Sequence, residues 1–479
     1  MPLSQSQICD LARDSYAINR FGMEIGMQIR LPDKVNKIIG TLTAAGCEAY
    51  AVGGCVRDSV LGRVPNDWDI TTSAKPDEIK RLFARTIDTG IKHGTVTVML
   101  DKEGFEVTTY RIDGDYEDAR HPKEVTFTAS LEEDLKRRDF TINAMAYNER
   151  SGLVDIFGGI RDIEQGLIRC VGNAEERFTE DALRMLRAVR FSAQLGYRIE
   201  EDTRRAVCMM AANLNLISAE RIQAELVKLV TSDHPDYLRT AYETGITKQI
   251  LPEFDLCMET AQNNPHHCYC VGEHILHSMQ AVAPDKVLRL GMLFHDIGKP
   301  QTMTVDEKGI THNKGHAIVG EKMTKEILRR LKFDNDTIGK TARIVLYHDQ
   351  EIGLTDSGVR RAVNRMGADI FPLLFDVRYA DIQAQSDYKR EEKLKRLAYI
   401  KEIYEGILSR KECLSLKDLA VSGSDLIALG IPAGKEIGEL LNELLELVLE
   451  EPGRNTREEL LTISKEKMHT IMNEAQPPY

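Results

Sequence analysis

The chain has 479 residues, 42% hydrophobic and 29% charged, the balance of a globular protein with room for roughly two to four domains. No apolar run reaches the ~18 residues needed to cross a bilayer, and the opening segment lacks the basic and apolar regions of a signal peptide, so a cytoplasmic protein without membrane partners is expected. The 75 acidic residues outnumber the 63 basic ones, for a formal charge of −12, which excludes a globally basic nucleic-acid binder and confines any such contact to local patches.

Residues 1–30 read as an amphipathic extension. From Leu31 the pattern mixes strands and helices. It predicts a helix over Pro32–Ala45, a strand over Ala49–Val52, a glycine turn into a helix, and a strand over Asp67–Thr71. A hairpin follows, Thr95–Leu100 and Phe105–Arg111, turned by Asp101-Lys102-Glu103-Gly104. Beyond it the pattern is helical almost to the end, with breaks at Asn263–Tyr269 and Gly453–Asn455. Nine cysteines without a framework spacing predict reduced thiols. Cys268 and Cys270 lie beside His266 and His267, but C-x-C without a second pair is the wrong spacing for a zinc knuckle.

Gly53 and Gly54 end one element and open the next, a turn in which main-chain N–H groups can approach a phosphate. Asp67-Trp68-Asp69-Ile70 follows. In an extended segment Asp67 and Asp69 point to one face, about 6–7 Å apart, while Trp68, the single tryptophan, and Ile70 point to the other. Two carboxylates so placed repel each other unless a cation lies between them. Glu106, on the hairpin, can complete a three-carboxylate cluster able to hold two Mg²⁺ ions.

The string GGCVRDSVLGRVPNDWDITTSA resembles the head of the class II tRNA nucleotidyltransferase and bacterial poly(A) polymerase family, within the DNA polymerase beta superfamily. The likeness continues through EVTTYRIDGDYEDARHPKEVTF, LKRRDFTINAMAYN and ERFTEDALRMLRAVRF to SAERIQAELVKL, roughly residues 31–235. It implies an α+β nucleotidyltransferase head followed by helical domains. It also implies metal ligation by Asp67, Asp69 and Glu106, and nucleotide contacts from Gly53, Gly54, Arg57 and Arg187. Arg137, Arg138, Asp139 and Asn143 match the motif that holds ribose and triphosphate; unaided, the same residues also read as a helix cap with flanking charges. Asp181 and Arg184 match the base-selecting pair that reads CTP and then ATP. Helical spacing puts Arg177, Asp181 and Arg184 on one face, where an intrahelical ion pair is the plainer alternative. Residues 113–124, with Arg120, correspond to the family's flexible loop, whose presence favours full CCA or A addition. Glu220-Arg221 matches a motif supporting the helix turn beneath the site.

Eight of the 12 histidines fall between His266 and His348, an excess that points to metal chemistry. His295-Asp296-Ile297-Gly298-Lys299-Pro300 follows an apolar helix, Val287–Phe294. These residues resemble the HD-domain phosphohydrolases. The resemblance implies one metal on His274, His295, Asp296 and Asp381, a transition ion or Mg²⁺, and His316 and His348 extend it to a second.

The expected organisation is an extension over 1–30, a head over 31–170, a helical neck over 171–262, an HD-type domain over 263–388 and a tRNA-contacting helical tail over 389–479. The expected activity is addition of CMP, CMP and AMP from CTP and ATP to the 3′ end of tRNA. The rivals are a poly(A) polymerase, an enzyme adding only CC or only A, and an HD phosphohydrolase whose head merely binds RNA.

Overall fold

The computed structural model describes residues 28–113 and 125–474, so residues 1–27 of the extension and the loop bearing Arg120 lie outside the described residues. The chain divides into two compact units, one ending at Pro252 and one beginning at Glu253.

The first unit opens with α1 (Asp33–Ala44), β1 (Ala49–Val52), α2 (Gly54–Val60), β2 (Ile70–Thr72), α3 (Pro76–Leu82), β3 (Thr86–Gly90), β4 (Thr95–Leu100) and β5 (Glu103–Thr109). It continues with β6 (Arg111–Asp113), β7 (Val125–Phe127), α4 (Leu131–Lys136), β8 (Ala146–Asn148), β9 (Gly152–Val154), α5 (Gly159–Gln165) and β10 (Leu167–Ile168). The rest is α6 (Ala174–Glu180), α7 (Leu183–Leu195), β11 (Arg198–Ile199), α8 (Glu201–Met210), α9 (Ala219–Val230), α10 (Leu238–Glu243) and α11 (Ile246–Ile250). Seven strands form one sheet in the order β3-β4-β5-β2-β1-β8-β9. The central β1 is buried on both faces. Ala49 and Ala51 pack toward α1, whose Val35, Ile38, Ile39 and Leu42 recur at helical spacing, and Tyr50 and Val52 pack with Tyr110 and Leu135 on the other side.

Several sequence expectations change here. The chain is not helical throughout after the hairpin, because β8 and β9 return to extend the sheet beside β1. The hairpin turn is the two residues Asp101 and Lys102, both left-handed (φ 48° and 72°), and Glu103 already pairs with Leu100. The strand expected over Asp67–Thr71 begins only at Ile70, so both aspartates precede it. The face alternation still holds: Ile70 is buried and Trp68 packs against the same core.

The second unit is helical apart from one short hairpin. It contains α12 (Pro252–Glu259, which straddles the division), α13 (Val271–Gln280), α14 (Lys286–Phe294), α15 (Lys299–Thr302), β12 (Thr304–Val305), β13 (Thr311–His312), α16 (His316–Arg330) and α17 (Asn335–Tyr347). Then come α18 (Asp356–Met366), α19 (Leu373–Ala384), α20 (Arg390–Ser409), α21 (Gly423–Ala428), α22 (Lys435–Glu450) and α23 (Arg457–Glu474). Among the described residues no helix is long and apolar enough to cross a membrane.

Candidate active sites

In the first unit, β1 delivers the chain to Gly53, which adopts φ 85°. A side chain there would be strained, and its Cβ would lie 2.9 Å from Arg138 Nη1. The main chain and the Arg138 guanidinium therefore come together over this turn, and only glycine permits it. The parallel pairing of Ile70 with Val107 sets Asp69 alongside Glu106. Burial raises the Asp69 pKa, with Arg138 opposing the shift and Asp67 adding to it. Asp69 nevertheless keeps part of its surface open to solvent. Burial also raises Glu106, followed by the charges of Asp69 and Asp67. The three carboxylates thus share one negative field, only partly offset by Arg138, which a hard divalent cation would relieve.

Around them runs a ladder of charge pairs. Arg57, buried, donates from Nη1 to Asn143 Oδ1 (2.6 Å), and Asn143 Nδ2 donates to Asp139 Oδ1 (3.1 Å). Asp139 Oδ1 also accepts from the Phe140 N–H, and Oδ2 accepts from Arg187 Nε and Nη2 (3.0 and 2.6 Å). Burial would raise the Asp139 pKa, but Arg187 and Asn143 hold it well below the usual range. Glu225, buried on α9, then bridges Arg187 (3.6 Å) and Arg190 (2.8 Å). Asp134, fully buried on α4, accepts from Arg137 Nε and Nη2 (3.0 and 2.6 Å) and from Thr71 Oγ1 (3.0 Å), and lies 3.6 Å from Arg138. Sequence reading did not single out Asp134 or Glu225. Asp134 had a visible signal, its i+3 and i+4 spacing to the two arginines; Glu225 had none, since its partners lie on another helix.

The helical-face reading of Arg177, Asp181 and Arg184 needs correction. Helix α6 stops at Glu180, and Asp181 is extended (φ −145°, ψ 101°), accepting the Leu183 N–H through Oδ1 at the start of α7. Its Oδ2 accepts from Arg221 Nη2 (2.7 Å). The Arg184 side chain pairs with Glu180 (2.6 Å) and donates to the carbonyl of Arg137 (2.9 Å), while its main-chain N–H donates to the Asp181 carbonyl. The two residues are held by separate partners in a kinked segment, with Glu180 taking the intrahelical ion pair.

In the second unit, His274 comes from α13, His295 and Asp296 follow α14, His316 opens α16, His348 follows α17, and Asp381 sits on α19. All but Asp381 and His316 are almost wholly buried. Gly298 explains the approach of α16: a Cβ there would lie 2.3 Å from the His316 carbonyl and 2.7 Å from Gly320 N. Each imidazole is tethered through Nδ1 to a main-chain carbonyl: His274 to Ala384 (3.2 Å), His295 to Met292 (2.7 Å), His316 to Asn313 (2.9 Å) and His348 to Val345 (2.7 Å). The tether places the ring proton on Nδ1 and leaves the Nε2 lone pair facing inward. His274 and His295 then meet Nε2 to Nε2 at 3.1 Å, and His316 and His348 at 3.3 Å. Two lone pairs at that separation repel unless a cation lies between them.

Asp296 joins the two pairs. Its Oδ2 is 3.5 and 3.3 Å from His274 and His295, and its Oδ1 is 3.4 and 3.7 Å from His316 and His348. Asp381 Oδ1 is 3.0 Å from His274 Nε2. Among the described residues, the two sets of donors lying within 4.8 Å of one another are His274, His295, Asp296 and Asp296, His316, His348. Burial would raise Asp296, but His295 and Lys299 (2.6 Å from Oδ2) hold its pKa well down. Burial, joined by the charges of His295 and His316 and opposed by Asp349 and Asp296, lowers His348 to about 4. Cys270 has a plainer use than metal binding, since its Sγ accepts the Glu273 N–H at the start of α13.

Residues 49–169 match the poly A polymerase head domain, 196–258 the probable RNA and SrmB-binding site of polymerase A, and 316–463 the putative tRNA nucleotidyltransferase domain 2. A solved CCA-adding enzyme of Bacillus stearothermophilus, in complex with CTP, is 30% identical with a TM-score of 0.67, over 92% of this chain and 98% of that one. The chain belongs to the CCA-adding enzyme family. The family's CCA-adding enzymes from Lactiplantibacillus plantarum and Geobacillus kaustophilus are each 56% identical, over 198 and 193 residues. Those matches take in 41% and 40% of this chain, and the chain spans about half the length of these curated relatives, 49% and 48%. The family fold, a mixed α+β head with a large helical C-terminal part, is the one seen here. A Thermotoga maritima CCA-adding enzyme complexed with tRNA shares the fold at 22% identity and a TM-score of 0.52.

Proposed function

We propose that this nucleotidyltransferase adds CMP, CMP and AMP to the 3′ end of tRNA from CTP and ATP, releasing pyrophosphate. The observation that carries the reading is the shared negative field of Asp67, Asp69 and Glu106 beside the Gly53–Gly54 turn and Arg138. These carboxylates fit Mg²⁺ as hard oxygen donors, and the ions would activate the RNA 3′-hydroxyl and stabilise the departing pyrophosphate. With the Gly53 N–H bonded to the Met145 carbonyl, Gly54 at the start of α2 brings its main-chain N–H toward the triphosphate, and Arg138 supplies a cation above it. Asp139 works as a strut, since its oxygens are already taken by Phe140, Asn143 and Arg187; it holds Asn143 and Arg187 for the nucleotide. Asp181, fixed by Arg221, and Arg184, fixed by Glu180, present an acceptor and donors to the base edge. The loop with Arg120 belongs to the same reading, as do a cytoplasmic setting and the segments 31–170 as head, 171–262 as neck, 263–388 as HD-type domain and 389–479 as tail.

The test uses tRNA transcripts ending before CCA, after CC and after CCA, each with labelled CTP or ATP. The expected products stop at CCA. Long A tails identify a poly(A) polymerase, arrest after CC or addition of A alone identifies a partial enzyme, and no extension defeats the reading.

The histidine pairs favour a second activity, a metal-dependent phosphohydrolase. His274, His295, Asp296 and Asp381 would hold one ion and Asp296, His316 and His348 another. The nitrogen-rich set suits a first-row transition ion better than Mg²⁺. Such ions supply a metal-activated water. The protein positions it with rings whose orientation the Nδ1 tethers set in advance. Metal analysis of the purified protein tests this; a protein that takes up no transition ion is not such an enzyme.

A further inference from the structure

Asp296, His316, His348 and Asp381 of the histidine–aspartate cluster form the floor of a cavity of about 700 Å³. One wall comes from α20, beyond the residue 388 boundary read from the sequence. Lys393, Arg396, Leu397 and Ile400 line it from positions i, i+3, i+4 and i+7, a single helix face. Among the lining residues, four cations (Lys299, Arg378, Lys393 and Arg396) face three carboxylates (Asp296, Asp349 and Asp381). The cavity is therefore formally positive before any divalent ion enters, and more so afterwards.

Two of these cations lack a carboxylate at ion-pair distance. Lys393 Nζ donates to Gln385 Oε1 (2.5 Å) and to His266 Nδ1 (3.0 Å), both neutral acceptors. Arg378 Nη2 donates to the main-chain carbonyls of Tyr347 (3.2 Å) and Gln350, and its buried Nε has no partner. Lys299 is spent on Asp296, and Arg396 has Glu351 at 3.4 Å. Burial lowers Lys393, and it lowers Arg378 to about 10; Asp381 opposes both shifts and Asp349 that of Arg378, but neither carboxylate lies at ion-pair distance.

We propose that Lys393 and Arg378 form a second anion subsite, so that this cavity takes a phosphomonoester whose organic part carries another phosphate: a nucleoside bisphosphate, or an RNA 3′ end bearing a terminal phosphate. The monoester faces the metal-ligand floor, the second phosphate meets Lys393 and Arg378, and the organic part lies on Leu397 and Ile400. The inference deepens the phosphohydrolase reading and rests on it for the role of the floor. A lone monophosphate leaves the two wall cations without a direct anionic partner. The bisphosphate satisfies both ends, and this difference is what selects the substrate.

The test is calorimetric binding by the full-length protein, with Mn²⁺ and after EDTA treatment. The probes are adenosine 3′,5′-bisphosphate, adenosine 3′-monophosphate and a short RNA ending in a 3′-phosphate. The wild type should bind the bisphosphate about tenfold or more tightly than the monophosphate. Lys393→Ala should remove that preference, lowering bisphosphate affinity far more than monophosphate affinity, and Lys393→Arg should restore it. Tighter binding of the RNA than of the free bisphosphate identifies a polynucleotide end as the source; the reverse identifies the free nucleotide. Equal affinity for both small probes in the wild type, equal loss of both in Lys393→Ala, or no binding of any probe to Mn²⁺-loaded protein overturns the inference. Mn²⁺ binding is measured separately. If Mn²⁺ does not bind but the Lys393-dependent preference persists in EDTA, the anion subsite stands and the hydrolase reading falls.

Discussion

The two candidate sites meet the same physical problem, ligands that repel one another, and meet it differently. In the first unit the donors are carboxylates that feel each other's charge but are not drawn into one tight group, and the order lies in the basic scaffold around them. Arg138 is held near Asp134, and Arg187 is held by Asp139 and Glu225. In the second unit the donors themselves are locked, each imidazole by a carbonyl, with one aspartate bridging the pairs. On the proposed functions, a site that accepts different nucleotides in turn would keep its ligands open to solvent and fix the residues that read the substrate, and a site that holds ions continuously would fix the ligands. The contrast then teaches that burial and tethering, rather than donor count, would separate a transient metal site from a resident one.

The sharpest way to break the comparison is Asp69→Ala. Loss of a metal carboxylate should cut nucleotide incorporation by about three orders of magnitude or more, with thermal unfolding unchanged. Near-normal turnover in a labelled-CTP assay would remove the catalytic half of the contrast. Asp296→Asn should follow: with the bridge weakened, the purified protein should lose both transition ions by elemental analysis, whereas one retained ion would show the pairs to be independent. Glu225→Ala should destabilise the first unit by about 3 kcal/mol in urea denaturation, because it strips the buried Arg190 of its counter-charge. Arg221→Ala frees Asp181 and should raise KM for CTP and ATP by about tenfold, with an altered CTP-to-ATP preference; a pure loss of stability with unaltered KM would assign Arg221 to the fold alone. The smallest effect concerns pH. Asp139 has a depressed pKa in the folded protein, so its stabilisation is present above the unfolded value of about 4 and is lost as pH falls below it. Asp139→Asn should flatten the acid limb of the stability profile, measured by denaturation at pH 6 and pH 3.

Charge also bears on how the tail meets RNA. The exposed face of α22 carries Glu436, Glu439, Glu443, Glu446 and Glu450, which disfavours phosphate there. The tRNA contact expected of residues 389–479 would have to come from elsewhere in the tail.

The sequence alone named the candidate residues of both sites, the carboxylates by the glycine turn and the histidines crowding residues 266–348, and the family that the motif order implies. It also placed α1, β1 and the β4–β5 hairpin closely, because their burial follows local periodicity. Three things were left to the tertiary structure. Asp181 stands outside the helix, with its carboxylate held by Arg221, forty residues on. Strands β8 and β9 are three residues each, too short to show a period, and exist because β1 offers an edge to pair with. The facing of four Nε2 lone pairs across Asp296, and the cationic wall from α20 above them, depend on how separate helices dock. Local patterns record which side chains a segment buries, but not which distant partner completes them, and it is that partner that turns a list of histidines and lysines into a site.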